Sequence, residues 1–154
     1  MKISRVGLAV LITSAALVGC NAPPPFLPNS NPALRKTSAQ FAADAAHHHY
    51  ESTAPKAGQA NGRVEVDYGI GRLTIANLST EDWNDVEIWV NQKYVVSLPK
   101  ITGNMQGVVQ INFQSIFDDS GNHLPISATE KPVNTVEMFK DGKMYSLGVP
   151  HLAD

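Results

Sequence analysis

The side chain with the most distinctive chemistry in this sequence is one thiol near its beginning. Cys20 is the only cysteine among 154 residues, so an internal disulfide is excluded. It follows an uncharged, mostly aliphatic stretch, residues 6–18, which is preceded by Lys2 and Arg5. A thiol at this position can be alkylated to a thioether, and no neighbouring side chain could replace it in that reaction. Cys20 is therefore the first candidate for covalent modification.

The residues before Cys20 have the organisation of an export signal. A positive start, a short apolar centre and a small-residue end are typical of a secretory signal peptide, and the apolar centre is shorter than the roughly 20 residues of a membrane-spanning helix. The stretch ends in Leu17-Val18-Gly19-Cys20, which resembles the lipobox of bacterial lipoproteins. This resemblance implies cleavage between Gly19 and Cys20 and acylation of the cysteine. We predict a lipoprotein signal peptide over residues 1–19; the alternatives are a plainly cleaved signal with an incidental cysteine, or an uncleaved helix.

The predicted lipid on Cys20 makes a membrane the first partner. Two or three acyl chains anchor a protein stably at about 0.8 kcal/mol per buried methylene, whereas one chain is marginal. Asn21, rather than Asp, follows the cysteine, and by the resemblance to bacterial lipoproteins this implies the outer membrane rather than the inner one. Removing Lys2 and Arg5 from the 12 basic residues leaves 10 against 14 acidic ones, a net charge of about -4. Nucleic acid is not an expected partner, because its binding needs clustered basic residues.

Residues 20–62 are predicted to form a lipidated linker. Five of its residues between positions 23 and 32 are prolines, which favour an extended, semi-rigid chain of about 3.1 Å per residue. Residues 33–50 could form a short helix with Asn31 as N-cap and Pro32 at the first position. The apolar face of that helix is thin, so a disordered linker is the alternative. In both cases the linker would hold a domain away from the membrane.

Three consecutive histidines, His47, His48 and His49, are the candidate metal ligands of this linker. Neutral imidazole binds transition metals, and short histidine tracts use this property. Three adjacent side chains on a helix point about 100° apart and cannot converge on one ion while helical. We therefore assign no metal site and favour a solvated tail. A metal-handling lipoprotein that uses His47 to His49 is the alternative function.

Residues 63–150 have the pattern of an all-β domain. Short apolar-alternating runs are separated by turn residues, which is typical of a sandwich. Seven strands are predicted, at residues 63–68, 72–77, 85–90, 93–98, 108–113, 134–140 and 143–149. Asn91-Gln92 and Asp141-Gly142 are predicted to be tight turns, and the second is the strongest hairpin indication because both of its positions tolerate positive φ. The expected fold is an antiparallel sandwich that its core alone must stabilise.

One part of this domain resembles a known type of module. Residues 73–79 form a strand ending in Asn and a Ser/Thr turn, and residues 83–91 follow with a bulky apolar residue and a V-x-I-x-V run. The pattern resembles small bacterial β-sandwiches, namely FxLYD-type and related immunoglobulin- or fibronectin-like envelope domains. The similarity extends over residues 64–149. It implies a seven-stranded immunoglobulin-like sandwich that acts as a noncatalytic module.

Two acidic regions could in principle bind cations or transfer protons. Residues 118–122 contain Asp, Ser, Gly and Asn, but their glycine is at the fourth loop position and Thr129 occupies the twelfth, where an EF-hand needs Glu. We predict an ordinary turn, with a weak cation site as the alternative. A second group brackets Trp83 and consists of Glu81, Asp82, Asp85 and Glu87. We interpret it as a solvated charged loop rather than a pair of catalytic carboxylates.

Trp89 and Tyr94 are the candidate contact surface. Trp89 would either enter the core or lie on the second face of the sheet, and an exposed Trp89 beside Tyr94 would form an apolar patch for an envelope protein partner. No enzyme is predicted, because the sequence has no Gly-x-Ser-x-Gly elbow, phosphate loop or HExxH helix, and no catalytic residue or cofactor is assigned.

Enzyme activity would require a catalytic triad formed by residues that are distant in sequence and close together in the fold. The sequence offers His123 or His151 beside Asp118 or Glu130 for a small envelope hydrolase. The favoured function is instead a lipid-anchored envelope protein with a noncatalytic binding or structural module.

Overall fold

The chain folds as an all-β protein with two sheets and one short helix. The computed structural model describes residues 27, 29–104, 107–127 and 129–148; the predicted signal peptide, Cys20 and His151 lie outside them. The strands are β1 (Lys56–Gln59), β2 (Gly62–Asp67), β3 (Arg72–Asn77), β4 (Trp83–Val90), β5 (Tyr94–Ile101), β6 (Gly107–Asn112), β7 (Val136–Lys140) and β8 (Lys143–Leu147). Helix α1 is Ser38–Ala45, and 3-10 turns occupy Pro32–Leu34 and Phe113–Ser115. None of the helices in the described residues is both long and apolar enough to cross a bilayer.

The two sheets contain five and three strands. Their orders are β1-β8-β7-β4-β5 and β2-β3-β6. Every predicted strand is present, and the all-β prediction is confirmed. The count of seven is too low, because β1 adds an eighth strand within the described residues, and it pairs with β8 in parallel rather than antiparallel. β1 was missed because its four residues are all exposed and carry no apolar alternation; it joins the sheet through its backbone.

Both predicted tight turns are confirmed. Asn91 and Gln92 have φ angles of 54° and 59°, and Lys93 donates its amide to the Val90 carbonyl at 3.1 Å. Asp141 and Gly142 have φ angles of 50° and 70° and join β7 to β8. Asn91, Asp141 and Gly142 are of the types that adopt this left-handed backbone at least cost, so they indicated both turns.

The core lies between the two sheets. Residues that pair across antiparallel strands share a face, and Ile88 pairs with Val96 on one side and Met138 on the other. This inner face meets a second apolar face from the three-stranded sheet, formed by Val64, Leu73, Ile75, Val109 and Ile111. The sheets approach closely at Gly62 of β2, where a Cβ would lie 2.5 Å from the Trp83 ring.

The region predicted as a linker folds onto this domain. We call residues 29–59 the N-terminal strap. Its Leu34, Phe41 and Ala45 are buried in the same core cluster as the sheets. The segment predicted as a linker thus contributes two large apolar side chains, Leu34 and Phe41, to the core of the domain predicted to begin at residue 63.

Local capping residues set the turns of the strap. Thr37 caps α1, its hydroxyl accepting the Gln40 amide at 3.2 Å while the Gln40 side chain accepts the Thr37 amide at 2.8 Å. This is a capping box, which satisfies two amides at the start of the helix. Asn31, predicted as an N-cap, caps the 3-10 turn Pro32–Leu34 instead of α1.

Candidate functional site

The outer face of the five-stranded sheet carries polar and aromatic side chains. Glu87 of β4 pairs with Ser97 of β5, and Trp89 of β4 pairs with Glu137 of β7. These four residues lie on the face opposite Ile88, since neighbouring side chains along a strand alternate between faces. The strap crosses this face and adds His48, Tyr50 and Lys56. We call these seven residues the polar cluster.

One part of the polar cluster is a hydroxyl, an imidazole and a carboxylate in series. His48 Nε2 lies 3.0 Å from Ser97 Oγ, and His48 Nδ1 lies 2.9 Å from Glu87 Oε1. In the neutral tautomer that donates from Nδ1 to Glu87, Nε2 accepts the Ser97 hydroxyl proton. This is the order of nucleophile, base and orienting acid in serine hydrolases. Sequence reasoning missed it because the partners are 49 and 39 residues apart.

The surroundings of Ser97 favour attachment over catalysis. Ser97 lies inside the paired strand β5, whereas a nucleophile elbow presents its serine at a sharp turn. The second Glu87 oxygen, Oε2, accepts the Trp89 indole N–H at 2.9 Å. Both carboxylate oxygens and both imidazole nitrogens thus have partners inside the cluster. The arrangement holds the strap against β4 and β5.

The other part of the polar cluster centres on a phenol. Tyr50 donates its hydroxyl to Glu137 at 2.7 Å, and Lys56 donates to the Tyr50 oxygen at 2.8 Å and to Glu137 at 3.2 Å. Burial raises the pKa of Tyr50; the hydrogen bond from Lys56 opposes this change and Glu137 adds to it. The Tyr50 ring meets the Trp89 ring edge-on, with centroids 5.5 Å apart.

Trp89 and Tyr94, the candidate contact surface, are covered to different extents. Trp89 is only 3% exposed, because the strap lays Tyr50 over it. Tyr94 is half-buried, with the Lys93 ammonium 5.0 Å from its ring centre. Of the two alternatives open for Trp89, the structure selects burial, although the cover comes from the strap rather than from the opposite sheet.

The three histidines of the strap differ in environment. His47 and His49 are exposed, whereas both ring nitrogens of His48 face Glu87 and Ser97. No group of three or more His, Cys, Asp and Glu side chains in the described residues is arranged to hold a metal ion. Metal binding by all three imidazoles would require His48 to leave the sheet.

The loop at Asp118 is organised as a turn around its carboxylate. Asp118 is 1% exposed and accepts the amides of Ser120 at 3.1 Å and Asn122 at 2.8 Å. Lys93 Nζ lies 3.2 Å from the other oxygen. Burial would raise the pKa of Asp118, but the Asn122 hydrogen bonds and Lys93 outweigh it and the pKa is lowered. These hydrogen bonds and the ion pair with Lys93 give both oxygens of the Asp118 carboxylate a partner.

Within the described residues, the other predicted site residues have partners of their own or lie exposed. His123 Nδ1 lies 2.9 Å from the Leu124 carbonyl and its ring packs edge-on against Phe117, so its contacts are not with the Asp118 carboxylate. Glu130 lies in an exposed turn. In the acidic patch, Asp82 is paired with Lys100, which lowers the pKa of Asp82, and accepts the Gly103 amide. Glu81 and Asp85 are exposed, whereas Glu87 belongs to the polar cluster.

Comparison with known proteins adds no relative. No family model matches the chain, and neither the curated proteins nor the solved structures include a significant match.

Proposed function

We propose that the protein is a lipid-anchored protein of the bacterial cell envelope whose β-domain is a noncatalytic binding or structural module. The observation that carries this proposal is the sequence Leu17-Val18-Gly19-Cys20 after a basic start and an apolar run. Cys20 is the only cysteine, so no disulfide competes for it. The polar cluster supports the noncatalytic part, because its groups bond the strap to the sheet.

The immunoglobulin-like identity of the module is part of the same proposal, and strand order supports it. With β2 to β8 lettered A, B, C, C′, E, F and G in chain order, the three-stranded sheet reads A-B-E. The other sheet reads G-F-C-C′, with β1 added outside G. Immunoglobulin sandwiches place A, B and E in one sheet and C, F and G in the other, and variable-type domains add C′ beside C. No D strand corresponds within the described residues.

Because the strap is folded, the tether between Cys20 and the domain is shorter than the predicted linker. A linker of residues 20–62 would let the domain stand far from the bilayer. Leu27 is only seven residues after Cys20, and its amide donates to the Lys36 carbonyl at 2.9 Å. Seven residues span at most about 25 Å in any conformation. The proposed anchor therefore holds the domain close to the membrane.

Mass spectrometry of the membrane-extracted protein tests the anchor. We expect a mature chain that begins at Cys20 and carries diacylglyceryl and further acyl mass. Cys20→Ser is the matched variant and should abolish both this processing and membrane retention. An unmodified cysteine, or a chain cut at another position, would overturn the proposal.

The binding part of the proposal is tested by crosslinking in intact cells, followed by identification of the attached proteins. We expect a defined envelope protein that reacts with the native chain. The Cys20→Ser chain, released from the membrane, provides the comparison for contacts that depend on location. If the native chain yields no partner, a purely structural role replaces partner binding.

A second candidate function is a small hydrolase, favoured by the Ser97–His48–Glu87 series alone. A fluorophosphonate probe that reacts with activated serines distinguishes the two candidates. The noncatalytic proposal expects no labelling of Ser97. Labelling that is lost in both Ser97→Ala and His48→Ala, while Ser146→Ala retains it, would establish the hydrolase instead.

A further inference from the structure

Two exposed isoleucines lie at the turn between β2 and β3, at one end of the domain. Ile70, in the turn between β2 and β3, is 58% exposed, and Ile126 is 47% exposed. The Ile126 side chain lies 3.0 Å from where a Cβ on Gly71 would stand, so the two isoleucines flank the same turn. Scattered single apolar residues on a surface are ordinary, but an adjacent pair of large side chains forms a small apolar patch.

The chain from the anchor enters the domain beside this turn. Asn29 donates its side-chain amide to the Gln110 carbonyl at 2.9 Å, and Arg72 Nη1 donates to Gln110 Oε1 at 3.3 Å. Asn29, Ser30, Arg72, Gln110 and Asn112 line an open groove of about 400 Å³. Arg72 is two residues from Ile70. The first described residues of the strap therefore lie at the end of the domain that carries the isoleucines.

The length of chain before Asn29 limits where the membrane can be. Asn29 is nine residues after Cys20, and a chain of nine residues spans at most about 32 Å. A domain of this size has a radius of gyration of about 13 to 14 Å, which for a compact sphere corresponds to a diameter of about 35 Å between opposite ends. The end with the groove can reach the bilayer directly, whereas the hairpin between β7 and β8, at the opposite end, is farther away.

We propose that this end, with Ile70, Ile126 and Arg72, rests on the surface of the bilayer to which Cys20 is anchored. The inference depends on the proposed lipidation. Apolar side chains at the boundary between headgroups and acyl chains gain from burial, and a guanidinium can pair with lipid phosphates. Arg72 Nη2 is 3.9 Å from Asp67, which offsets its charge, so the isoleucines, rather than net charge, are the main contact.

A single fluorescent label tests the orientation in the full lipidated protein. Since Cys20 is the only native cysteine and its thiol would be blocked by lipid, Ile70→Cys gives one labelling position. An environment-sensitive dye there is compared with the same dye at Lys143→Cys, an exposed position at the start of β8. The proteins are reconstituted in phosphatidylethanolamine–phosphatidylglycerol vesicles that contain nitroxide-labelled lipid.

We expect quenching at position 70 to exceed quenching at position 143 by at least twofold. Adding Ile126→Ser to the Ile70→Cys protein should lower the quenching at position 70 toward the value at position 143. Equal, weak quenching at both positions in protein that floats with the vesicles would overturn the docked orientation and leave lipidation intact. Protein that does not float with the vesicles would overturn both proposals.

Discussion

The two faces of the five-stranded sheet are buried in different ways. Its inner face packs against the three-stranded sheet, and apolar side chains such as Ile88 and Met138 form it. Its outer face carries Glu87, Trp89 and Glu137, and the strap buries it through hydrogen bonds and ring contacts. The same strands therefore supply an apolar core on one side and a polar interface on the other. The difference implies that loss of the inner face unfolds the domain, whereas loss of the outer face weakens the attachment of the strap.

Ile88→Ala should have the largest effect, because Ile88 is fully buried between the sheets. We expect the free energy of unfolding to fall by about 2 to 5 kcal/mol, from the lost burial and the cavity left behind. Urea denaturation measures it. Val108→Ala, at a position 54% exposed, is the control and should change stability by less than about 0.5 kcal/mol. Equal effects at both positions would contradict the assignment of the core.

Trp89→Phe should have the next largest effect and act on the outer face. It removes the indole N–H that Glu87 accepts, a hydrogen bond to a charged group worth about 1.5 to 3 kcal/mol. Relative to the native protein, the substitution should accelerate hydrogen exchange more at the α1 amides than at the β3 amides. If β3 and α1 lose protection equally, the strap does not open separately and the two faces form one cooperative unit.

Tyr50→Phe should weaken the strap less. The ring contact with Trp89 is kept, while the hydroxyl between Lys56 and Glu137 is removed. We expect the free energy of unfolding, measured by urea denaturation, to fall by about 0.5 to 1.5 kcal/mol, the usual net contribution of a hydrogen bond. Ser52→Ala changes an exposed side chain of the same strap and serves as the matched control. A loss of the same size in Ser52→Ala would show that strap attachment does not depend on the phenol.

Alkaline pH should produce the smallest effect, confined to pH above about 10. Burial raises the pKa of Tyr50, so between its ordinary and folded values the unfolded chain has lost a proton that the folded chain keeps. Stability therefore falls as pH rises through this range. Urea denaturation at about pH 9 and pH 11 should show a larger fall for the native protein than for Tyr50→Phe. Identical falls would show that the phenol is not perturbed by folding.

The inner face could be predicted from sequence because the patterns that define it lie within short stretches of the chain. Apolar alternation placed Val86, Ile88 and Val90 on one face, and the residues Asn91-Gln92 and Asp141-Gly142 indicated their turns. All seven predicted strands follow from such patterns. The same reasoning identified Asp118–Asn122 as a turn, because Asp and Asn side chains bond to backbone amides close by in sequence.

The outer face could not be predicted, since its partners are distant along the chain. Tyr50 and Glu137 are 87 residues apart, and nothing in either local sequence indicates the other. The strap was assigned to a linker because only Leu34 and Phe41 are large and apolar, and both needed a core that other elements supply. Likewise, Trp89 occupied a position that alternation assigned to the exposed face, and its cover was visible only in three dimensions.

The parallel pairing of β1 with β8 determines when the five-stranded sheet can form during synthesis. Lys56 pairs with Met144 across 88 residues of chain, so β1 can join the sheet only after β8 has been synthesised. Long-range closures of this kind slow folding. A premature stop codon before position 143 would remove β8 but leave the apolar strands. The truncated product should therefore expose the surface around Trp89, and quality-control proteases and chaperones should recognise it as unfinished.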